Sequence, residues 1–273
     1  MSETEGKTGW RYWLFDTAKT FALVFAVMLI PRTVLCQPFT IPSGSMEPTL
    51  QVGDYLLVSK YPYGWSRHSA PLSPPLGKGR LLGHAPERGD IVVFKKPGDA
   101  RTDIIKRLVG LPGDRLQVVG GVLRINGKPV RRQALSDTLE QGPYGETMRV
   151  NRFVETLPNG KTFVTNSYGR DTAAGNTGVY VVPANCYFMM GDNRDNSLDS
   201  RFDPGAAPAG ESSCPWNSEL DRYLSAETGM GFVPFDNLVG RAEMVLFSRQ
   251  PGVGLRLDRT LRSLTATANR SAS

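Results

Sequence analysis

The chain is poor in the residues that most often carry hydrolytic or metal chemistry. Its 273 residues hold two histidines, His68 and His84. Both lie in one Gly- and Pro-rich segment, away from any strand end, and they read as surface residues. A Ser-His-Asp triad is therefore disfavoured. Three cysteines, Cys36, Cys186 and Cys214, show no CxxC spacing, which argues against a zinc site. No metal and no cofactor are expected. The formal net charge of +6 is mild, and no basic stripe interleaved with aromatics accompanies it, so nucleic-acid binding is not expected.

Long apolar runs are also scarce. Only Phe21–Ile30, "FALVFAVMLI", is free of side-chain polar atoms. Ten residues fall short of the roughly 20 that span a bilayer. Tyr12–Phe15 upstream and Val34–Leu35 downstream extend the run. Asp16, Lys19 and Arg32 fall near its ends, where lysine and arginine can snorkel. Trp10, Tyr12 and Trp13 suit a membrane interface. The segment after the run, "PRTVLCQPF", lacks the small residues of a signal-peptide cleavage site. A single retained transmembrane helix is expected within residues 1–36. Lys7, Arg11 and Lys19 keep its N-terminus cytoplasmic, which puts the rest of the chain on the outer side.

Beyond the anchor no window sustains a helical period. The chain turns instead to short runs rich in β-branched residues: Leu56–Lys60, Ile91–Lys95, Ile104–Val109, Arg115–Val119, Val122–Ile125, Tyr187–Met190 and Ala242–Phe247. Gly120-Gly121 and Asn126-Gly127 read as hairpin turns. "LPNG", between Phe153–Thr156 and Thr162–Val164, reads as a third. The 29 glycines and 20 prolines fit many turns. The expected fold is mostly β, a coiled antiparallel sheet or partial barrel. Tyr61–Gly89 reads either as a loose surface loop or as a loop dipping into a membrane interface. Phe202–Thr228 resembles an insertion. The basic tail from Gln250 should fray, although Leu257, Leu261 and Leu264 fall at helical spacing. Cys186 and Cys214 would pair in an oxidising compartment or stay two unrelated thiols.

The chemistry centres on "IPSGSMEPTL", residues 41–50. A serine hydroxyl needs a base, and the two histidines are poorly placed to supply one. In "DIIKRLVGLPGD" a strand would put Lys106 on one face with Ile104 and Leu108, with Ile105 and Arg107 opposite. A lysine on an apolar face is costly unless neutral or paired, and burial lowers its pKa. The bland alternative is a snorkelling lysine on an edge strand. "GDNRDNSLDSR", residues 191–201, alternates carboxylates and arginines after the apolar "CYFMM". It is either a polar loop with Asx turns or a brace for a buried lysine.

Taken together these segments resemble the boxes of bacterial type I signal peptidases, membrane-anchored Ser/Lys proteases. "QPFTIPSGSMEPTL" (37–50), "GDYLLVSK" (53–60), "RGDIVVFKKP" (88–97), "DIIKRLVGLPGD" (103–114) and "MGDNRDNSLDSR" (190–201) follow in the family's order. The resemblance implies Ser45 as nucleophile and Lys106 as general base. It implies that Ser43 helps bind the oxyanion and that Ser197 orients the lysine. It pairs Arg107 with Asp192 and Asp199 with Arg201 as structural support. Phe39, Ile41, Val93, Ile104 and Ile105 would line pockets for small residues; the family usually has an aromatic at the position of Ile104. The implied partners are signal-peptide-bearing pre-proteins, cleaved after A-x-A-like sequences, and membrane phospholipid. The implied location is the bacterial inner membrane. The implied architecture is a catalytic core (37–119 and 184–249, with the insertion at 202–228), a smaller β cap inserted at 120–183, and a basic tail at 250–273. Alternatives are a conjugation- or pilin-processing relative, or a non-catalytic membrane-anchored β module. The insertion at 202–228 departs from the family pattern, and its Cys214 could reach back to Cys186.

Overall fold

The computed structural model describes residues 6–70, 73, 77, 79–141, 147–170, 172, 174–224, 228–250, 252 and 254–265. One helix, α1, covers Gly6–Val34. The strands that follow are β1 (Cys36–Thr40), β2 (Asp54–Ser59), β3 (Ile91–Lys95), β4 (Asp103–Gly110), β5 (Arg115–Val119) and β6 (Val122–Ile125). Next come β7 (Lys128–Pro129), β8 (Arg131–Ala134), β9 (Thr138–Gln141), β10 (Thr147–Thr156), β11 (Thr162–Ser167) and β12 (Tyr180–Val181). The last are β13 (Cys186–Met190), β14 (Val233–Pro234), β15 (Leu238–Gln250), β16 (Gly254–Leu255) and β17 (Arg262–Ser263).

The largest sheet has nine strands in the order β1-β2-β15-β3-β4-β13-β14, with β16 and β17 paired to β15. Its pairings are antiparallel. Register shifts interrupt β15 against both β2 and β3. Such bulges bend a strand and raise its twist, which is how a sheet this wide curls. Two four-stranded sheets accompany it, one of β11-β10-β8 with β9 on β10, the other of β12-β5-β6-β7. The mostly β expectation holds.

The apolar runs make sense once their faces are assigned. In β3, Ile91 and Val93 join one buried cluster with Met46, Leu50, Leu56 and Val58, while Val92 and Phe94 join another with Leu108 and Met189. A strand buried on both faces needs no polar alternation, so "IVVF" is unbroken. β13 behaves alike: Tyr187 and Met189 face the second cluster, and Cys186, Phe188 and Met190 face a third with Leu116, Leu123 and Phe232. Each such side chain contributes roughly 1.5–3 kcal/mol by leaving water.

Both glycine-bearing turns form as read. Gly120 and Gly121 have φ of 54° and 73°, and Asn126 and Gly127 have 53° and 79°. Positive φ at both central residues suits the right-handed twist of a two-residue hairpin. The expected boundary between core and cap at 119/120 passes through the first of these turns, and the strands on either side of it, β5 and β6, pair.

α1 forms, and among the described residues no helix is long and apolar enough to cross a membrane. Three expectations need correction. The Tyr61–Gly89 segment is not loose at its start: Tyr63 is buried and its hydroxyl donates to Asp90 Oδ2 at 3.0 Å. His68 is buried, not at the surface, its Nδ1 3.1 Å from Ser73 Oγ. Burial, then the neighbouring Arg67 charge, lowers its pKa to about 4. The tail does not fray over 254–265. β16 and β17 return onto β15, and Arg259 reaches the fully buried Asp54. Residues 266–273 lie outside the described set.

Asp54 also accepts from Ser248 Oγ at 2.5 Å and from the Gln51 amide at 2.9 Å. Burial opposes its charge, but these bonds and Arg259 outweigh it and hold its pKa below the ordinary value. Asp54→Ala would strand a buried guanidinium. We expect a loss of about 3–5 kcal/mol in urea unfolding at neutral pH. Because the folded pKa is depressed, the wild-type advantage is present above the ordinary carboxylate pKa and fades as pH falls through the lowered one.

Candidate active site

The serine turn is built by local geometry. Ser43 is extended, with φ −133° and ψ 153°, and Gly44–Met46 then close a single 3-10 turn. The Glu47 amide donates to Gly44 O at 3.0 Å and the Leu50 amide to Met46 O at 2.9 Å. Met46 and Leu50 pin the turn into the core below it. The loop after β13 then clasps the turn. The Asn193 amide donates to Ser45 O at 3.2 Å, and Asn193 Nδ2 to Gly44 O at 3.3 Å. The approach is close enough that a Cβ on Gly191 would sit 2.4 Å from Ser197 Oγ and 2.5 Å from Ser45 O. Only glycine fits there.

β4 delivers the base candidate. Lys106 lies opposite Val92 in the β3–β4 register, between Ile104 and Leu108 on one strand face. Its Nζ donates to Ser45 Oγ at 2.5 Å. Ser43 Oγ lies 3.4 Å from Ser45 Oγ. Lys106 is buried, and burial is the largest influence on it, lowering its pKa from 10.5 to about 8. The nearby Asp199 and Asp192 push the other way, and Arg201 adds slightly to the lowering. A neutral amine at this distance has a lone pair to accept the serine proton.

The 191–201 loop is a lattice of buried charge. Arg107, on the face of β4 opposite Lys106, donates through Nε to Asp192 Oδ1 at 2.8 Å and through Nη2 to Oδ2 at 2.6 Å. Thr49 Oγ1 adds a bond to Asp192 Oδ2 at 2.5 Å, tying the serine segment to the same carboxylate. Arg201 grips Asp199 with bonds of 2.8 and 2.9 Å. Arg201 and its neighbours hold the Asp199 pKa down despite full burial. Ser197 lines the same cavity as Lys106, but its hydroxyl donates to Asp199 Oδ2 at 2.9 Å. The expected bond from Ser197 to the lysine is not among its contacts; Asp199 acts on Lys106 only through its charge, which raises the amine pKa.

Sequence reasoning missed several supports. Arg194 Nη2 bonds Glu155 Oε2 at 2.6 Å, joining the loop to β10. Asp195 accepts from Ser167 Oγ, the Tyr168 amide and Thr172 Oγ1 at 3.0, 2.7 and 2.5 Å. The dense charge in the loop was the available signal, but these partners lie more than twenty residues away in sequence.

Ser43, Ser45, Lys106 and Ser197 share an open cavity of about 510 Å³, bordered also by Leu198 and Phe202. The five expected pocket residues lie outside that lining. Ile41 and Val93 are buried in the cluster beneath the serine turn, with Phe39 and Ile105 against it, and Ile104 packs on the other face with Leu108. The disulfide Cys186–Cys214 anchors the insertion to β13, with Cα atoms 6.3 Å apart. Among the described residues no group of three or more His, Cys, Asp or Glu is arranged to hold a metal ion.

The sequence has counterparts among known proteins. The family model described as signal peptidase, peptidase S26, matches residues 14–247, and the chain belongs to that family. It is 37% identical over 238 residues to Signal peptidase I of Rickettsia canadensis (strain McKiel), covering 84% of this chain and 78% of the relative. Against Signal peptidase I of Rickettsia prowazekii (strain Madrid E) it is 38% identical over 241 residues, with the same coverage. The chain is accordingly an enzyme, a peptidase of the signal peptidase I group. A crystal structure of a signal peptidase I from Enterococcus faecalis V583 covers 58% of this chain and 97% of its own, at 24% identity and a TM-score of 0.27.

A buried ammonium destabilises the fold until it deprotonates. With a folded pKa near 8 against an ordinary value of 10.5, the wild type gains stability as pH rises between them. Lys106→Met should therefore be more stable than wild type at pH 7, by about 3 kcal/mol at most. Chemical unfolding across pH should show the difference closing toward pH 10.5. A difference independent of pH would contradict a buried, titrating amine.

Proposed function

We propose that this enzyme removes signal peptides from exported pre-proteins by a Ser45/Lys106 dyad. The observation that carries the reading is the 2.5 Å contact between Lys106 Nζ and Ser45 Oγ in a buried setting. Neutral Lys106 takes the Ser45 proton as Oγ attacks the carbonyl before the scissile bond. The tetrahedral oxyanion is met by the Ser45 amide and the Ser43 hydroxyl, whose oxygen lies 3.4 Å from Ser45 Oγ. Lys106 then returns the proton to the leaving amine, and water, deprotonated in turn by Lys106, hydrolyses the acyl-enzyme. Ser197, which lines the same cavity, is assigned to orienting the lysine on the family resemblance. Arg107–Asp192 and Asp199–Arg201 keep the loop and the strand in register.

Specificity for small residues of the A-x-A kind is assigned to Phe39, Ile41, Val93, Ile104 and Ile105, on the family resemblance. The enzyme is attached to a bacterial cytoplasmic membrane through α1, with the catalytic part on the outer side. In support, Leu23, Val24, Phe25 and Val27 are all exposed although they point in different directions around the helix. Exposed apolar residues on several faces call for an apolar environment. Contact with phospholipid follows from that attachment.

Ser45→Ala and Lys106→Ala should each lower cleavage of a pre-protein by about 10³-fold or more while the fold is kept. Ser43→Ala should cost about 10²-fold in kcat. The base must be neutral, so kcat/KM should rise with pH to a plateau above about 8, following the lowered Lys106 pKa. A Lys106→Ala enzyme that cleaves at the wild-type rate would overturn the dyad.

A further inference from the structure

The reverse side of the catalytic strand holds a second cavity, of about 300 Å³. Lys106 faces the serine, and Arg107, the next residue, faces this cavity. Three more arginines enter it, Arg152 from β10 and Arg259 and Arg262 from the tail that folds back onto β15. No aspartate or glutamate lines it.

The four cations are not equally satisfied. Arg107 is neutralised by Asp192 and Arg259 by Asp54. Among the described residues, Arg152 and Arg262 make no ion pair and no side-chain hydrogen bond. Arg152 Nε is buried with no partner at all. An unpartnered buried donor on a charged group is costly, and natural structures leave few of them. Arg262 feels burial first and the like charge of Arg259 second, and both lower its pKa. A concave site with two unmatched guanidiniums, one stranded N–H and no acidic lining is short of an anion.

We infer that this cavity binds a phosphate group between Arg152 and Arg262. Guanidinium forks match phosphate oxygens in pairs, and a doubly charged anion would balance the two free cations. The volume exceeds that of a bare phosphate, and Phe163 and Leu264 give it apolar walls. Either inorganic phosphate or the phosphate of a lipid headgroup satisfies this chemistry. The site is separate from the serine cavity, and it stands whether or not the dyad mechanism does.

Thermal unfolding and isothermal titration of the full chain in neutral detergent test this at constant ionic strength. The probes are inorganic phosphate, short-chain phosphatidylglycerol, and an oligoglutamate peptide, with chloride as control. Wild type should bind phosphate saturably and unfold at a higher temperature as phosphate is added. The R152Q/R262Q double variant should lose at least about tenfold in affinity, with its thermal midpoint in chloride unchanged or raised. Arg152→Lys, which keeps the charge, should recover part of the binding. Should the double variant not fold, Arg262→Gln alone carries the comparison, since that side chain is exposed. Binding of phosphatidylglycerol lost in the same variants assigns the site to a lipid headgroup; binding of inorganic phosphate alone assigns it to the free ion. Phosphate effects equal to those of chloride, binding indifferent to the arginines, or selective binding of the acidic peptide would each overturn the inference.

Discussion

Lys106 has to be dry enough to lose its proton near neutral pH and close enough to Ser45 to take another. Burial does the first, and it is the largest influence on the amine, bringing its pKa to about 8. The short contact to Ser45 Oγ does the second. The two demands conflict with the rest of the loop, because Asp192 and Asp199 both favour the charged amine. Their partners moderate that conflict. Arg107 binds Asp192 and Arg201 binds Asp199, each through two bonds. A bare carboxylate at either place would pull the lysine pKa back up; a neutralised one braces the loop with less cost to the base.

The same constraint explains how much of the molecule is given over to holding residues 191–201. The loop is tied to the serine turn through Asn193, to β10 through Arg194 and Glu155, and to the end of β11 through Asp195. A buried ion pair is weak evidence of stability, since desolvation offsets much of the attraction. Here the pairs fix geometry between segments that share no strand register. The insertion after Phe202 extends the clamp outward, with Cys214 covalently bound to β13 and Glu211 paired with Arg67.

What could be read from sequence was what depends on neighbours in sequence. Strands β2 to β6 and the glycine-bearing turns were visible because period, β-branching and turn residues are local signals. Ser45, Lys106 and the charged loop could be singled out because each sits in an unusual local setting. The misses are all long-range. "RRQA" in β8 has no alternation to betray a strand, and it forms by pairing with β10. The tail looked solvated because Arg256, Arg259 and Arg262 look solvated; it is held by Asp54, some two hundred residues earlier. His68 looked like a loop histidine and is buried under contacts from the insertion. The helix was legible as an element, but its ten-residue apolar run was too short to settle a span.

The sequence "KR" at 106–107 condenses the logic of the fold. In a strand, adjacent residues face opposite sides, so two cations one bond apart in sequence enter different media. On one side Lys106 lies in register with Val92 and shares its strand face with Ile104 and Leu108, and its buried amine can shed its charge. On the other, Asp192 and the Phe163 ring, 4.1 Å from the guanidinium carbon, receive a cation that cannot. The chemistry of each side chain matches its medium. A guanidinium would keep its proton at the dry face and could not act as a base. An ammonium at the other face would lack the planar fork that holds both oxygens of Asp192. The order of the two residues, together with the pleat, is therefore what separates the proposed base from its scaffold.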